Sequence, residues 1–253
     1  MSQWSPDQYL KYAGPRFRPG LDLLARVEIS DPAAIFDLGC GTGALTQALA
    51  ERWPGAAVSG VDSSPEMLAK ARAENPGISW IQAAVADWAP DTPADVIFSN
   101  ACLQWLDSHT SLFPRLLAAL RSGGMLAVQM PRNYASPLHT CIQEAAAGRG
   151  AVQAVVREQP VASPDTYFDI LASLADELEI WETIYLHVLE GNNPVAEWTR
   201  GTVLKPLLDA IADDSERQAF FDDYSARVQA AYPKRDDGKT LFPFRRLFIV
   251  ARA

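Results

Sequence analysis

Apolar positions along the chain change their period as it proceeds. Leu21, Leu24, Ala25 and Val27 share one helical face, and Ala34-Ile35-Phe36-Asp37-Leu38 is then a short, nearly continuous apolar run of strand length. Ala44, Leu45, Ala48 and Leu49 return to helical spacing, so this stretch reads strand, loop, helix. Residues 57–61 repeat the strand, and Ser64-Pro65-Glu66-Met67-Leu68 opens the next helix, with Ser63 or Ser64 as N-cap and Pro65 in the first turn. Further strands are expected over residues 78–83, 95–99 and 125–130, with a helix over 112–120 between the last two. Short apolar strands alternating with amphipathic helices indicate βα units around a parallel sheet. The expected class is therefore α/β, a doubly wound, Rossmann-like core over residues 21–132.

Past residue 132 the texture changes. The pattern gives a helix over 137–147, an irregular stretch to Pro164, a helix over 166–178 and a strand over 179–189. Two or three amphipathic helices follow within 194–231, and the Asp236-Asp237-Gly238-Lys239 turn leads into a closing strand over 241–251. A connection as long as 190–240 is far above ordinary loop length, so it is expected to be a helical insertion forming a lid over the carboxyl edge of the sheet. Residues 1–20 are expected to lie over the same edge as an amino-terminal segment.

Composition narrows the chemistry. With 253 residues, 48% hydrophobic and 21% charged, the chain is an ordinary globular sequence, which excludes disorder and collagen-like repeats. Lys and Arg number 22 against 31 Asp and Glu, a net charge of −9, whereas chains that neutralise phosphates carry a basic excess. Nucleic acid is thus not an expected partner. Cys40, Cys102 and Cys141 show no CxxC spacing, and neither a disulfide nor a zinc site is expected. No apolar segment has signal-peptide or membrane-span length, so the expectation is a cytoplasmic protein, a monomer or weak homodimer.

The loop after the first strand carries the sharpest signal. Gly39-x-Gly41-x-x-Ala44 satisfies a dinucleotide-binding pattern, and Asp62 at the end of the next strand stands where an acid would hold a ribose diol. On spacing alone NAD is a live candidate. Asp37, two residues ahead of the first glycine, argues the other way, because its carboxylate would repel a pyrophosphate and attract a cofactor with cationic groups.

Asp37-Leu38-Gly39-Cys40-Gly41-Thr42-Gly43 resembles the first motif of class I S-adenosylmethionine-dependent methyltransferases, and Val61-Asp62-Ser63-Ser64-Pro65-Glu66-Met67 resembles their second-strand motif. The resemblance implies a seven-stranded sheet with its last strand antiparallel. It also implies a cofactor site made of Asp37, Gly39, Cys40, Gly41, Asp62, Ser63, Met67, Asp87, Trp88 and Asn100. In that site Asp62 would take the ribose hydroxyls, Met67 and Trp88 the adenine ring, Asp87 the adenine amine, and Ser99-Asn100-Ala101 the methyl-facing loop.

A second resemblance spans nearly the whole chain. Trp4-x-Pro6-x-x-Tyr9, Arg16-x-Arg18-Pro19, Asn100-Ala101-Cys102-Leu103-Gln104-Trp105-Leu106, Gln129-Met130-Pro131, Tyr167-Phe168-Asp169-Ile170-Leu171 and Arg246-Leu247-Phe248-Ile249-Val250-Ala251 are similar to segments of trans-aconitate 2-methyltransferases. That family implies esterification of one carboxylate of a small tricarboxylic acid, with S-adenosylhomocysteine as second product. The sequence departs from the family pattern at Pro15, Thr42 and Arg132.

Elementary chemistry agrees with such an acceptor. A carboxylate is ionised at neutral pH, with a reference pKa near 4, so methyl transfer to it requires alignment and exclusion of water and no general base. No catalytic residue is assigned, and His109, His139 and His187 read as surface or core histidines. The other carboxylates of a small anionic acid need local cations, for which Arg16, Arg18, Lys205 and Arg246 are the candidates, with Gln104 and Trp105 lining the pocket. The competing classes are a methyltransferase for a phenolic or carbon acceptor, an NAD-dependent oxidoreductase and a non-catalytic cofactor-binding module. If all four cations faced bulk water, a phenolic or carbon acceptor would become the better reading.

Overall fold

A computed structural model describes residues 13–253, apart from the side chains of residues 13, 15 and 16. The expectations placed on residues 1–12 and on the Arg16 side chain lie outside the described residues.

Seven strands form one sheet: β1 (Ala34–Leu38), β2 (Ala57–Asp62), β3 (Ser79–Gln82), β4 (Ala94–Asn100), β5 (Leu120–Pro131), β6 (Glu177–Leu189) and β7 (Thr240–Arg252). Their order is β3-β2-β1-β4-β5-β7-β6. β1 pairs in parallel with β2 and β4, β2 with β3 and β4 with β5, and β7 runs antiparallel to β5. β4 is buried from Ala94 to Ser99, as a strand covered on both faces must be, and its centre, Val96-Ile97-Phe98, is accordingly apolar on both faces. Between β1 and β4 the chain switches from one half of the sheet to the other, and a crevice opens beyond the carboxyl ends of the strands at such a point.

The amino ends of those two strands are tied by one carboxylate. Asp95 accepts the backbone N–H groups of Ala33 at 3.0 Å and Ala34 at 2.8 Å, and the Arg121 guanidinium closes its other oxygen. Burial pushes this carboxyl up, but the Ala34 N–H, Arg121 and the Ala33 N–H together outweigh burial and hold it below the usual range.

The helices follow their local signals. Helix Ala44–Arg52 is entered through Gly43 at φ 84°, a left-handed turn suited to glycine. Helix Pro65–Glu74 is capped by Ser64, whose hydroxyl accepts from the Met67 N–H, which decides between the two candidate caps. The helix expected over 166–178 is instead Pro164–Leu171. Its last residues are captured by the sheet, the Asp176 N–H bonding to the Arg252 carbonyl just before β6 begins. A short helix, Gly150–Gln153, also occupies the stretch read as irregular.

The described residues form two compact units. One holds residues 14–131, 160–183 and 246–253, with the strands β1 to β5 and the helices between them. The other holds 132–159 and 184–245. In this second unit helices Pro194–Arg200, Lys205–Asp209 and Asp214–Ala231 fill the expected 190–240 insertion. They share an apolar core of Ile142, Trp198, Phe220, Tyr224 and Phe242 with helix Pro137–Ala146, so the insertion is larger than the sequence pattern delimited. No described helix is long and apolar enough to cross a membrane.

Replacing Asp95 by alanine removes the acceptor of two part-buried N–H groups and should lower stability by about 1–3 kcal/mol, at roughly 0.5–1.5 per bond, measured by urea unfolding. Because the folded-state pKa of Asp95 is depressed, this contribution is present above its unfolded value near 4 and lost as pH falls through the folded value. The gap between wild type and Asp95→Ala should therefore narrow on acidification below pH 4.

Candidate active site

The loop between β1 and helix Ala44–Arg52 turns three times on glycine, with Gly39 at φ 74°, Gly41 at 55° and Gly43 at 84°. At two of these a side chain is also excluded by space. A Cβ on Gly39 would overlap the Cys102 side chain, and one on Gly43 would overlap the Trp80 ring. At Gly41 no atom stands within 4 Å of a Cβ position, so that part of the loop presents open backbone.

Asp62, the last residue of β2, fixes the loop to the second βα connection. One carboxylate oxygen accepts the Gly41 N–H at 2.8 Å, and the other accepts the Ser64 N–H at 2.9 Å. Each oxygen keeps a second lone pair. Asp62 remains half-buried.

Asp37 corrects the sequence argument. It is only 2% exposed and accepts the Thr46 hydroxyl at 2.6 Å, inside the packing of the loop against the following helix. Burial, with the charge of Asp62 adding to it against the Thr46 bond, pushes its carboxyl up to about 7. A carboxyl that shares its proton near neutral pH is not a fixed negative charge, so the electrostatic case against a pyrophosphate weakens. Cys40 and Cys102 stay thiols, since burial pushes both far up, Cys102 to about 12.

At the end of β4, Ser99 donates to the Leu38 carbonyl at 2.8 Å, and Ala101 turns left-handed at φ 55° while its N–H bonds to the Gln129 carbonyl. Alanine held in that region is strained by about 1–2 kcal/mol, and the surrounding bonds explain how it persists. Gln104 donates from Nε2 to the Ala101 carbonyl at 2.7 Å. His109 clamps the same loop: its Nε2 lies 2.9 Å from the Leu103 carbonyl, which can only accept, so Nε2 carries the proton. Nδ1 then accepts from the Tyr167 hydroxyl at 2.7 Å, while that hydroxyl takes the Ala162 N–H at 3.3 Å. Across the sheet, Arg246 on β7 is 4% exposed and donates from Nη1 to the Gln129 side-chain oxygen at 3.2 Å.

The structure thus gathers Asp37, Gly39, Cys40, Gly41, Asp62, Asn100, Gln104 and Arg246 at the carboxyl edge of the sheet or just behind it. Ser63 is exposed, Met67 is buried beside the Ser64 cap, Asp87 is exposed, and Trp105 is 38% exposed on the short 3-10 turn Leu103–Trp105. Trp88 is 6% exposed and its ring packs 5.0 Å from that of Phe36. Arg18 has 74% of its side chain in solvent near Asp22, and Lys205 is paired with Asp209 at 2.9 Å on its own helix. Thr46 carries no signal of its role in the sequence, and Tyr167 and Gln129 enter there only through the family resemblance, without a site role, because their partners are remote in sequence. Among the described residues no cluster has the composition of a metal site.

Sheet order, glycine loop and Asp62 together define the class I S-adenosylmethionine-dependent methyltransferases, and a family model described as a methyltransferase domain matches residues 35–124. The fold is shared with phosphoethanolamine N-methyltransferase 2 of Haemonchus contortus (TM-score 0.59, 18% identity, 97% of this chain and 56% of that one) and with the YcgJ protein of Bacillus subtilis (TM-score 0.58, 13% identity, 93% and 98%). Closer in sequence are trans-aconitate 2-methyltransferases from Azoarcus sp. (49% identity over 99% of each chain), Methylobacterium nodulans (46% over 100% and 99%) and Escherichia coli (40% over 100% and 99%). The chain belongs to the trans-aconitate 2-methyltransferase family.

The raised pKa of Asp37 has a signed consequence. The folded state binds this proton more tightly than the unfolded chain, so stability falls as pH rises from about 4 through 7. Asp37→Asn removes that titration, and its thermal midpoint relative to wild type should climb between pH 5 and pH 7.5 and level off above. A constant difference across that range would show that Asp37 does not titrate there.

Proposed function

We propose that this chain transfers a methyl group from S-adenosylmethionine to one carboxylate of a small polycarboxylic acid, with trans-aconitate as the acceptor to try first. Three local features support the cofactor. Asp62 has a free lone pair on each oxygen, which suits the two hydroxyls of a ribose. The backbone at Gly41 is open to a ligand. Asn100 Oδ1 is a buried acceptor with no partner among the described residues, which suits a cationic donor. The cofactor, when bound, supplies an electrophilic methyl on a sulfonium.

The acceptor is argued from Arg246, and this is the observation that carries the reading. It is a cation buried at the edge of β7, in a protein whose net charge is −9. A guanidinium presents a planar fork of N–H donors that matches a carboxylate, and a phenolic or carbon acceptor makes no use of it. The relatives named for trans-aconitate support the same choice.

An ionised carboxylate needs no proton removed, so the chain's contribution is to hold the acid, orient one oxygen and keep water out. His109 fits this absence of a base: both of its ring nitrogens are engaged in holding the loop at residues 101–106.

Incubation of the protein with S-adenosylmethionine and trans-aconitate should give a monomethyl ester, detected by mass spectrometry. No ester from trans-aconitate or from a panel of di- and tricarboxylates would overturn the reading. At saturating cofactor and acid, kcat should stay flat from about pH 6.5 to 9, since the acceptor is already ionised; a rise with an apparent pKa in that interval would indicate a base.

A further inference from the structure

Two buried polar atoms stand at neighbouring strand ends with no hydrogen-bond partner among the described residues, Oδ1 of Asn100 on β4 and Nε2 of Gln129 on β5. The two residues are in register across the β4–β5 pair. One atom is an acceptor and the other a donor, so the strand ends differ in what they ask of a ligand. Buried polar groups are ordinarily paired, and each exception calls for an account.

For Gln129 the surroundings supply one. The side chain is fully buried, and its Oε1 is committed to the Arg246 guanidinium. That bond fixes which end of the amide is which, so Nε2 is left as the donor. Gln129 pairs with Phe248 in the β5–β7 register, and Arg246 lies two residues before Phe248, on the same face of β7. A permanent cation and an unfilled N–H donor held together, both buried, make a receptor for an anion with two oxygens.

Resting on the reading of the chain as a carboxylate methyltransferase, we propose that Gln129 is a specificity-determining residue that anchors a carboxylate of the acid which is not methylated. Nε2 donates to that carboxylate, Arg246 pairs with it, and Oε1 keeps the guanidinium in place. The division of labour follows from charge. Oxygens that accept from a guanidinium and an amide are poorer nucleophiles, so the anchored carboxylate is spared and a less engaged one takes the methyl. The pair would thus select both the substrate class, acids with at least two carboxylates, and the position of the ester.

The test is equilibrium binding of trans-aconitate, by calorimetry in the presence of saturating S-adenosylhomocysteine, to wild type, Gln129→Glu and Gln129→Asn. Glutamate keeps the bond to Arg246 while removing the donor and cancelling the charge. Its affinity for the acid should fall at least 100-fold. Asparagine keeps the chemistry with a shorter reach, should cost about tenfold, and serves if the glutamate variant fails to fold. In both variants the affinity for S-adenosylhomocysteine should stay within threefold of wild type, a separation that a merely structural role would not produce. With Gln129→Asn the ratio of ester isomers should also shift, read by NMR. Acid affinity within threefold of wild type in the variants overturns the proposal, as does an equal loss of cofactor affinity or a wild type that does not bind trans-aconitate. Wild-type binding without ester formation overturns the methyltransferase reading and leaves the anion site standing, whereas ester formation with unaffected variants overturns the anion site alone.

Discussion

The carboxyl edge of this sheet depends on the carboxylate of Asp62. Two parallel strands, β1 and β2, end side by side, and each is followed by a loop that must reverse direction within a few residues before its helix. Asp62 binds the Gly41 N–H from one loop and the Ser64 N–H from the other, so the two reversals are set relative to each other by a single side chain. The loop geometry that results requires glycine at 39 and 43, where both the left-handed backbone and the Cys102 and Trp80 side chains exclude a Cβ. Hydrogen bonds from neutral N–H groups to a carboxylate are among the stronger ones available to a fold. They also use only half of the acceptor capacity of Asp62, leaving a lone pair on each oxygen.

Electrostatics then divides the edge. Toward β1 and β2 it carries carboxyls and an open glycine backbone; toward β5 and β7 it carries a buried guanidinium and an amide. A net charge of −9 gives no long-range attraction for a polyanionic acid, and salt at physiological strength screens beyond about 8 Å. Recognition must therefore be local. Arg18 and Lys205 each have an acid close by on their own helix. Arg246 differs by being buried, a property that its place in a sequence does not disclose.

Most of the fold was legible because its signals are local. Strand and helix periods, the Ser64-Pro65 start and the glycine loop each arise within a few residues, and the observed elements follow them. The errors came where distant pairing decided: residues read as the end of a helix after Leu171 run into β6, and helix Pro137–Ala146 joins a core completed by residues up to Phe242. The site divides in the same way. Asp62 and the glycines announce themselves by spacing, while the buried state of Asp37, the His109–Tyr167 clamp and the Gln129–Arg246 pair join residues between 9 and 117 positions apart. Trp88 shows the same limit, because an aromatic beside an acid at a strand end reads the same whether it packs on a neighbour such as Phe36 or on a ligand.

Whether the lone pairs of Asp62 hold a ribose is open to direct measurement. Calorimetry should compare S-adenosylhomocysteine with its 2′,3′-dideoxy analogue on wild type and on Asp62→Ala. Two charge-assisted hydrogen bonds, together worth about 3 kcal/mol or more, predict that wild type prefers the natural nucleoside by about 100-fold or more, and that the variant prefers it by less than about threefold. Equal discrimination by both proteins would contradict the account, because the hydroxyls would then be held by some other group and Asp62 would be a loop tether alone.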